Sequence, residues 1–263
     1  MLIDFIKMQA QGNDFLILDQ LAEQQTMDYS ALAVAICKPH TGFGADGLVL
    51  LQQSATDLCK MVIYNNDGSR AAMCGSALRC LTKLAYDKYH LEQFSIETDS
   101  GSKSVQVCQA GDDLLITVNL GKPELLESTK QVGQITGSLV DVGNLHYVIY
   151  QDSIEDDPHL KWGSWLEHHE TFAESVNVHF VQLIAKNRIR IKIWENAVGP
   201  TLACGTGATA CVLTGITLHG LDDVVTVEMP GGEVTITLLK DDGQFLLTGP
   251  VETTGSGTYQ WKI

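Results

Sequence analysis

Two short segments hold the residues best suited to chemistry: Cys74-Gly75-Ser76 and Cys204-Gly205-Thr206. Each stands ahead of a helix-compatible run, and Ser76 and Thr206 are residue types that cap helix starts. The first backbone N–H groups of a helix have no partner within it, and the helix dipole favours negative charge there. A thiol at such a start ionises more readily than the free value of about 8.5 implies. A carboxylate can dock on the same N–H groups. If two such starts face one carbon, one sulfur can take a proton from one side while the other returns a proton to the opposite side. One sulfur must then be thiolate and the other thiol, so they titrate as a coupled pair. The N–H groups would stabilise the charge that moves onto the carboxylate as the carbon loses its proton. This is racemisation or epimerisation of an α-amino or α-hydroxy acid, and it requires neither metal nor pyridoxal. The competing reading is that both are buried structural cysteines. That reading suits Cys37, Cys59, Cys80, Cys108 and Cys211, which share no such setting.

The elements that must position these sulfurs are written twice. IYNNDGSRAAMCGS (63–76) and IWENAVGPTLACGT (193–206) each run from an aromatic to Cys-Gly-Ser/Thr, with the two cysteines 130 positions apart. Gly12-Asn13 and Gly143-Asn144 repeat at 131 positions, about half of the 263-residue chain. Short β-branched runs predict strands at 15–18, 47–51, 60–64, 114–118, 146–150, 188–194, 224–229 and 233–239. Helical spacing predicts helices over Tyr29–Cys37, Ala77–Tyr89, Trp165–Ala173 and Ala208–Leu218. Strands and helices do not alternate one for one, which disfavours a doubly wound parallel sheet. The expectation is an α+β fold of two homologous α/β halves related by a pseudo-two-fold axis. Residues 1–115 form the first half, joined by a C-terminal strand at 252–263, and residues 116–251 form the second.

Composition narrows the partners. Lys and Arg number 17 against 32 Asp and Glu, a net charge of −15, which argues against nucleic acid or an anionic membrane surface. Apolar residues make up 44% and charged residues 19%, enough for a real core. No apolar run approaches a membrane span. The first residues, MLIDFIKMQAQGNDF, lack the pattern of a secretion signal. Seven cysteines without CxxC or zinc-finger spacing then suggest reduced thiols in the cytoplasm, with no metal.

At GNDF (12–15), GFGADG (42–47), YNNDGSRAAMCGS (64–76), VGNLH (142–146), VNVHFV (176–181), WENAVGPTLACGTGATA (194–210) and PGGEV (230–234) the sequence resembles the diaminopimelate epimerase family. These are cofactor-independent two-cysteine enzymes, and the resemblance spans nearly the whole chain. It implies halves that each wrap strands around a central helix, with a small amino-acid substrate in the cleft between them, and it leaves room for a homodimer. It implies Cys74 and Cys204 as the acid/base pair, with His146 and Glu195 as polar partners of the sulfurs. The N–H groups around Gly75, Ser76, Gly205 and Thr206 would cradle the reacting carboxylate. Asn13 would hold the reacting amino group, and Asn65, Asn144, Asn177 and Glu195 would line the rest of the substrate.

Departures from the family pattern bear on the substrate. Asn196 replaces the Arg that pairs with the distal carboxylate of diaminopimelate, and Asn cannot supply that charge. Ser76 replaces an Asn, Leu145 a Pro and His179 a Glu. A racemase of an amino acid without a distal carboxylate, such as histidine, is therefore the alternative to diaminopimelate. Two further classes are weaker. GFGADG and GTGATA match the spacing of dinucleotide loops, but neither has the required strand before it and helix after it. A non-catalytic amino-acid-binding protein has no reason to keep both cysteines.

Overall fold

A computed structural model describes residues 1–23, 25–111 and 113–261 of the chain. In chain order the elements are β1 (Leu2–Ala10), β2 (Asn13–Asp19), α1 (Tyr29–Ile36), β3 (Gly47–Gln52), β4 (Cys59–Asn65), β5 (Arg70–Ala71) and α2 (Gly75–Tyr89). There follow β6 (Gln93–Thr98), β7 (Gly101–Ala110), β8 (Asp113–Gly121), β9 (Glu124–Val132), β10 (Ile135–Asp141), β11 (Leu145–Gln151) and α3 (Pro158–Glu167). The last are β12 (Asn177–Ala185), β13 (Arg188–Glu195), β14 (Gly199–Pro200), α4 (Gly205–Leu218), β15 (Val224–Met229), β16 (Gly232–Leu239), β17 (Gln244–Pro250) and β18 (Glu252–Gln260). They divide into two compact units: Met1–Val118 with Gly249–Ile263, and Asn119–Thr248.

Both units follow one strand plan. In the first, β1 lies antiparallel between β18 and β2, and β2 runs parallel to β3. β3 pairs antiparallel with β4, which takes β5 antiparallel and β6 parallel; β6, β7 and β8 then form an antiparallel run. In the second, β10 lies antiparallel between β9 and β11, and β11 runs parallel to β12. β12 pairs antiparallel with β13, which takes β14 antiparallel and β15 parallel; β15, β16 and β17 complete the antiparallel run. Every strand has a counterpart in the other unit, so the duplication reaches well beyond the Cys-Gly segments. β18 fills in the first unit the place that β9 fills in the second.

The parallel pairs are apolar because they are covered on both faces. Phe15–Leu18 and all of β3 are buried. Leu16, Leu18, Leu48, Leu50 and Val62 pack with Leu32, Ala33 and Ile36 of α1. α2 lies against β1, β2, β4 and β7. In the second unit Tyr147, Ile149, Val178 and Phe180 pack with Leu166 of α3, and α4 lies against β9 to β12 and β16. Residues Gly75 to Thr82 of α2 and Gly207 to Val212 of α4 are buried on every side, as a helix enclosed by strands must be.

One local expectation is corrected. The helix predicted over Trp165–Ala173 forms at Pro158–Glu167, where Pro158 presets the dihedral of the first turn, and the chain turns from His168 onward. GFGADG, as expected, runs straight into β3, so no helix follows it. Among the described residues no helix is long and apolar enough to cross a membrane, and none of the seven cysteines forms a disulfide.

Candidate active site

In the first unit Cys74 itself is the N-cap of α2, at φ −144° and ψ 123°. Ser76, expected to cap, is buried in the first turn instead. Leu78 N donates to Cys74 O at 2.9 Å, closing that turn. The thiol is half-buried, and Nδ2 of Asn13, the first residue of β2, lies 4.0 Å from its Sγ. Asn65, at the end of β4, donates from Nδ2 to Ser69 Oγ at 2.9 Å. One turn into α2, Arg79 is only 1% exposed. Its Nη2 donates to Gln11 Oε1 at 2.7 Å and its Nη1 to Pro250 O at 3.3 Å, while Nε has no partner. Burial pulls this guanidinium down to about 10, opposed by the Cys80 and Cys74 sulfurs. A buried cation thus stands within electrostatic reach of Cys74.

In the second unit Cys204 is the N-cap of α4, and its Sγ accepts from Gly207 N at 3.4 Å. Thr206 Oγ1 lies 3.6 Å from the same sulfur. Burial, then the charge of Glu195, hold this thiol well above its usual range; the Thr206 and Gly207 hydrogen bonds oppose them and lose. The readily ionised sulfur expected at a helix start is therefore a neutral thiol here. Water, which would support the thiolate, is excluded.

Two buried imidazoles adjoin it. His146 Nδ1 and His179 Nε2 are 2.9 Å apart, and His146 Nε2 lies 3.0 Å from Asn144 Oδ1. A carbonyl oxygen only accepts, so His146 carries its proton on Nε2 and takes a hydrogen bond at Nδ1 from His179 Nε2–H. His179 Nδ1 is then a bare lone pair, buried and without a partner. Burial pushes His179 down to about 3, and burial with His179 nearby pushes His146 well below the usual imidazole range. Gly207 makes room for His179: a Cβ there would fall 2.1 Å from His179 Cε1. One ring nitrogen from each histidine and Cys204 Sγ lie within 4.8 Å of one another, the one such group among the described residues suited to a metal ion.

Glu195 ends β13, and Asn196 opens the turn that follows. Thr201 Oγ1 donates to Glu195 Oε1 at 2.6 Å. Asn177 Oδ1 accepts from Asn196 N at 3.1 Å, and its Nδ2 donates to Leu145 O at 2.9 Å. Asn177, predicted to touch substrate, uses one donor and one acceptor to brace backbone. Buried Glu167 accepts from Ala197 N at 2.6 Å and Trp194 Nε1 at 2.8 Å.

Each unit therefore offers a thiol at the N-cap of an enclosed helix. The family model for diaminopimelate epimerase matches residues 5–126 and 138–254. The chain belongs to the diaminopimelate epimerase family. It is 36% identical to the diaminopimelate epimerase of Bacillus licheniformis, over 97% of each chain. It is 35% identical to that of Bacillus subtilis, over 97% of this chain and 98% of that one. Solved structures support the fold. A phenazine biosynthesis protein of the PhzF family from Bacillus anthracis superposes with TM-score 0.80 at 12% identity, covering 99% of this chain and 100% of that one. A hydroxyproline epimerase from Agrobacterium vitis gives 0.74 at 16% identity, covering 98% and 92%. The protein is an isomerase of the epimerase type.

Within this diaminopimelate epimerase frame, Asn13 and Cys74 come together in the first unit, and Asn144, His146, Glu195 and Cys204 in the second. Sequence reasoning missed Arg79, Gln11 and Glu167. A charged residue in the apolar run LRCL pointed to Arg79, whereas Glu167 matters only through a turn 30 positions away and left no local signal.

Proposed function

We propose that the protein inverts the α-carbon of an amino acid, with Cys74 and Cys204 as the two acid/base groups. The observation that carries this is the N-cap thiol found at corresponding places in both units. The surrounding charges assign the resting states. Cys74 has a guanidinium near it, which favours thiolate, whereas Cys204 is buried and stands beside the Glu195 carboxylate, which favour thiol. The Cys74 thiolate takes the α-proton, and the C–H electron pair moves into the carboxylate as an enolate-like charge. Backbone N–H groups at Gly75, Ser76, Gly205 and Thr206 hold that charge. Cys204 S–H then delivers its proton to the opposite side of the carbon, leaving thiol at 74 and thiolate at 204. The return reaction runs these roles backwards. Asn13 holds the amino group, while Asn65, Asn144 and Asn196 face the remainder of the substrate. All of this is done with side chains and amides of the chain itself.

The substrate supported by the relatives is diaminopimelate. Asn196, in place of the expected Arg, favours a second reading: an amino acid with an uncharged end, such as histidine. Incubating a panel of amino acids in deuterium oxide and scoring α-proton exchange by NMR tests both. Exchange of diaminopimelate above all others supports the first reading. Faster exchange of histidine or another monocarboxylic amino acid replaces it with the second. No exchange of any amino acid rejects the reaction.

A further inference from the structure

We propose that His146, His179 and Cys204 form an inhibitory site for a borderline-soft divalent cation of the zinc type. Three observations carry it. All three residues are buried, and one donor atom from each lies within 4.8 Å of the others, close enough for small side-chain shifts to bring all three onto one ion. His179 offers a buried nitrogen, Nδ1, that no hydrogen bond satisfies. Its ring edge lies against the first turn of α4: a Cβ at Gly207 would be 2.1 Å from Cε1, 2.5 Å from Nε2 and 2.9 Å from Nδ1. Two imidazoles and a thiol are a donor set that selects zinc over calcium or magnesium, and three protein ligands leave a fourth position open to water or an amine. Asn144 Oδ1 already holds His146 at Nε2, 3.0 Å away, which leaves Nδ1 pointing at the cluster. That is the outer support a metal-binding histidine needs.

The proton balance is simple. The histidines are neutral, so binding expels one proton, the Cys204 S–H proton. With His179 Nδ1 on the ion, its proton stays on Nε2, and His146 Nδ1 exchanges that hydrogen bond for the ion. The site differs from the reaction: an ion held here sequesters the Cys204 sulfur and stops it from acting as an acid. It also shields that sulfur from oxidants and alkylating agents. The family pattern has Glu where this chain has His179, so the soft donor set is a property of this chain's own sequence.

Purified, reduced protein is titrated with Zn²⁺ against a chromogenic chelator, and separately with Co²⁺ followed by absorption. One ion per chain at micromolar affinity or tighter is expected, with tetrahedral cobalt bands and a thiolate-to-cobalt charge-transfer band. Saturating Zn²⁺ should slow iodoacetamide labelling of Cys204, read by peptide mass spectrometry, by at least tenfold. His179→Asn should weaken Zn²⁺ binding at least tenfold, Cys204→Ser should remove the charge-transfer band, and Cys74→Ser should leave both intact. Millimolar affinity, unprotected Cys204 in the unmodified protein, or a cobalt band lost with Cys74→Ser would each overturn the site. These readouts need no turnover, so they stand or fall apart from the proposed reaction.

Discussion

The first turn of α2 and the first turn of α4 occupy the same place in one repeated plan, yet they surround their thiols differently. At the 130-residue offset set by Cys74 and Cys204, Arg79 corresponds to Thr209, Asn65 to Glu195, Val49 to His179 and Ala77 to Gly207. The strand registers agree: Gly47 pairs with Asn65 in the first unit, and Val178 pairs with Trp194 one step along the same ladder in the second. The first unit has gained a buried cation near a half-buried sulfur. The second has gained an anion and two neutral imidazoles around a fully enclosed one. Duplication supplied two equivalent helix starts, and divergence of a few neighbours gave their thiols different surroundings. A two-base reaction begins with one thiolate and one thiol, and unlike surroundings bias which sulfur holds the proton.

The most direct way to break the comparison is to remove either sulfur. General acid–base groups contribute about 10²- to 10⁴-fold, so Cys74→Ala and Cys204→Ala should each cut interconversion by about a thousandfold. The two variants should differ in kind. Each keeps one thiol and should abolish exchange from one substrate enantiomer or epimer only, a split that NMR in deuterium oxide reads directly. Loss of exchange from both forms in one variant and from neither in the other would mean that the halves are not partners.

The resting assignment is sharpened by labelling rates. At neutral pH iodoacetamide should modify Cys74 at least about tenfold faster than Cys204, since only the thiolate is the nucleophile. A pKa raised by burial and by Glu195 leaves Cys204 almost wholly protonated there. Its rate should therefore climb about tenfold per pH unit as the solution becomes more alkaline, the slope expected of any thiol below its pKa. Arg79→Gln removes the nearby cation and should narrow the gap between the two sites by slowing Cys74. Equal rates in the unmodified protein would remove the asymmetry on which the resting assignment stands.

How far the sequence could foretell this depended on the range of each interaction. The spacing of the Cys-Gly pairs showed the duplication, and β-branched runs showed the parallel strands buried on both faces, because both signals are local. The cap was misread by two residues: hydroxyl residues are the usual caps, but Cys74 and Cys204 take the extended backbone of an N-cap themselves. Asn177 carried the right residue type for a substrate contact, but its bracing of Leu145 O and Asn196 N, brought to it by strand pairing, left no local signal. A place at a helix start foretold a thiol that ionises readily. Full burial beside Glu195 reverses it, and burial cannot be read from three residues. His179 looked like a mere departure from a pattern until β11 and β12 placed it against His146.

Smaller effects follow from Gly207 and Ala77. Gly207→Ala would place a Cβ 2.1 Å from His179 Cε1, whereas the first unit holds an alanine at the matching place. Overpacking of this kind costs about 1–3 kcal/mol. For a chain this long each kcal/mol lowers Tm by roughly 2–4 °C. Adding His179→Val, which copies Val49 of the first unit, should recover most of the loss. Failure of the double variant to recover would show that His179 is not what excludes a side chain at 207.

The smallest test concerns the outer helices α1 and α3, which correspond in the plan but start differently. Asp28 Oδ1 accepts from Ala31 N at 2.9 Å, capping α1. Asp157 takes a left-handed conformation at φ 52°, makes no side-chain cap bond to α3, and pairs instead with Lys192 Nζ at 2.8 Å. Removing a working cap costs about 1 kcal/mol, so Asp28→Ala should lower Tm by roughly 2–4 °C. Asp157→Gly loses an exposed ion pair but relieves a positive φ, two small effects of opposite sign, and Tm should stay where it is. Pro158 presets the first turn of α3 and leaves that helix less dependent on a cap than α1. A larger drop for Asp157→Gly than for Asp28→Ala would mean that the pairing with Lys192, rather than proline, fixes the start of α3.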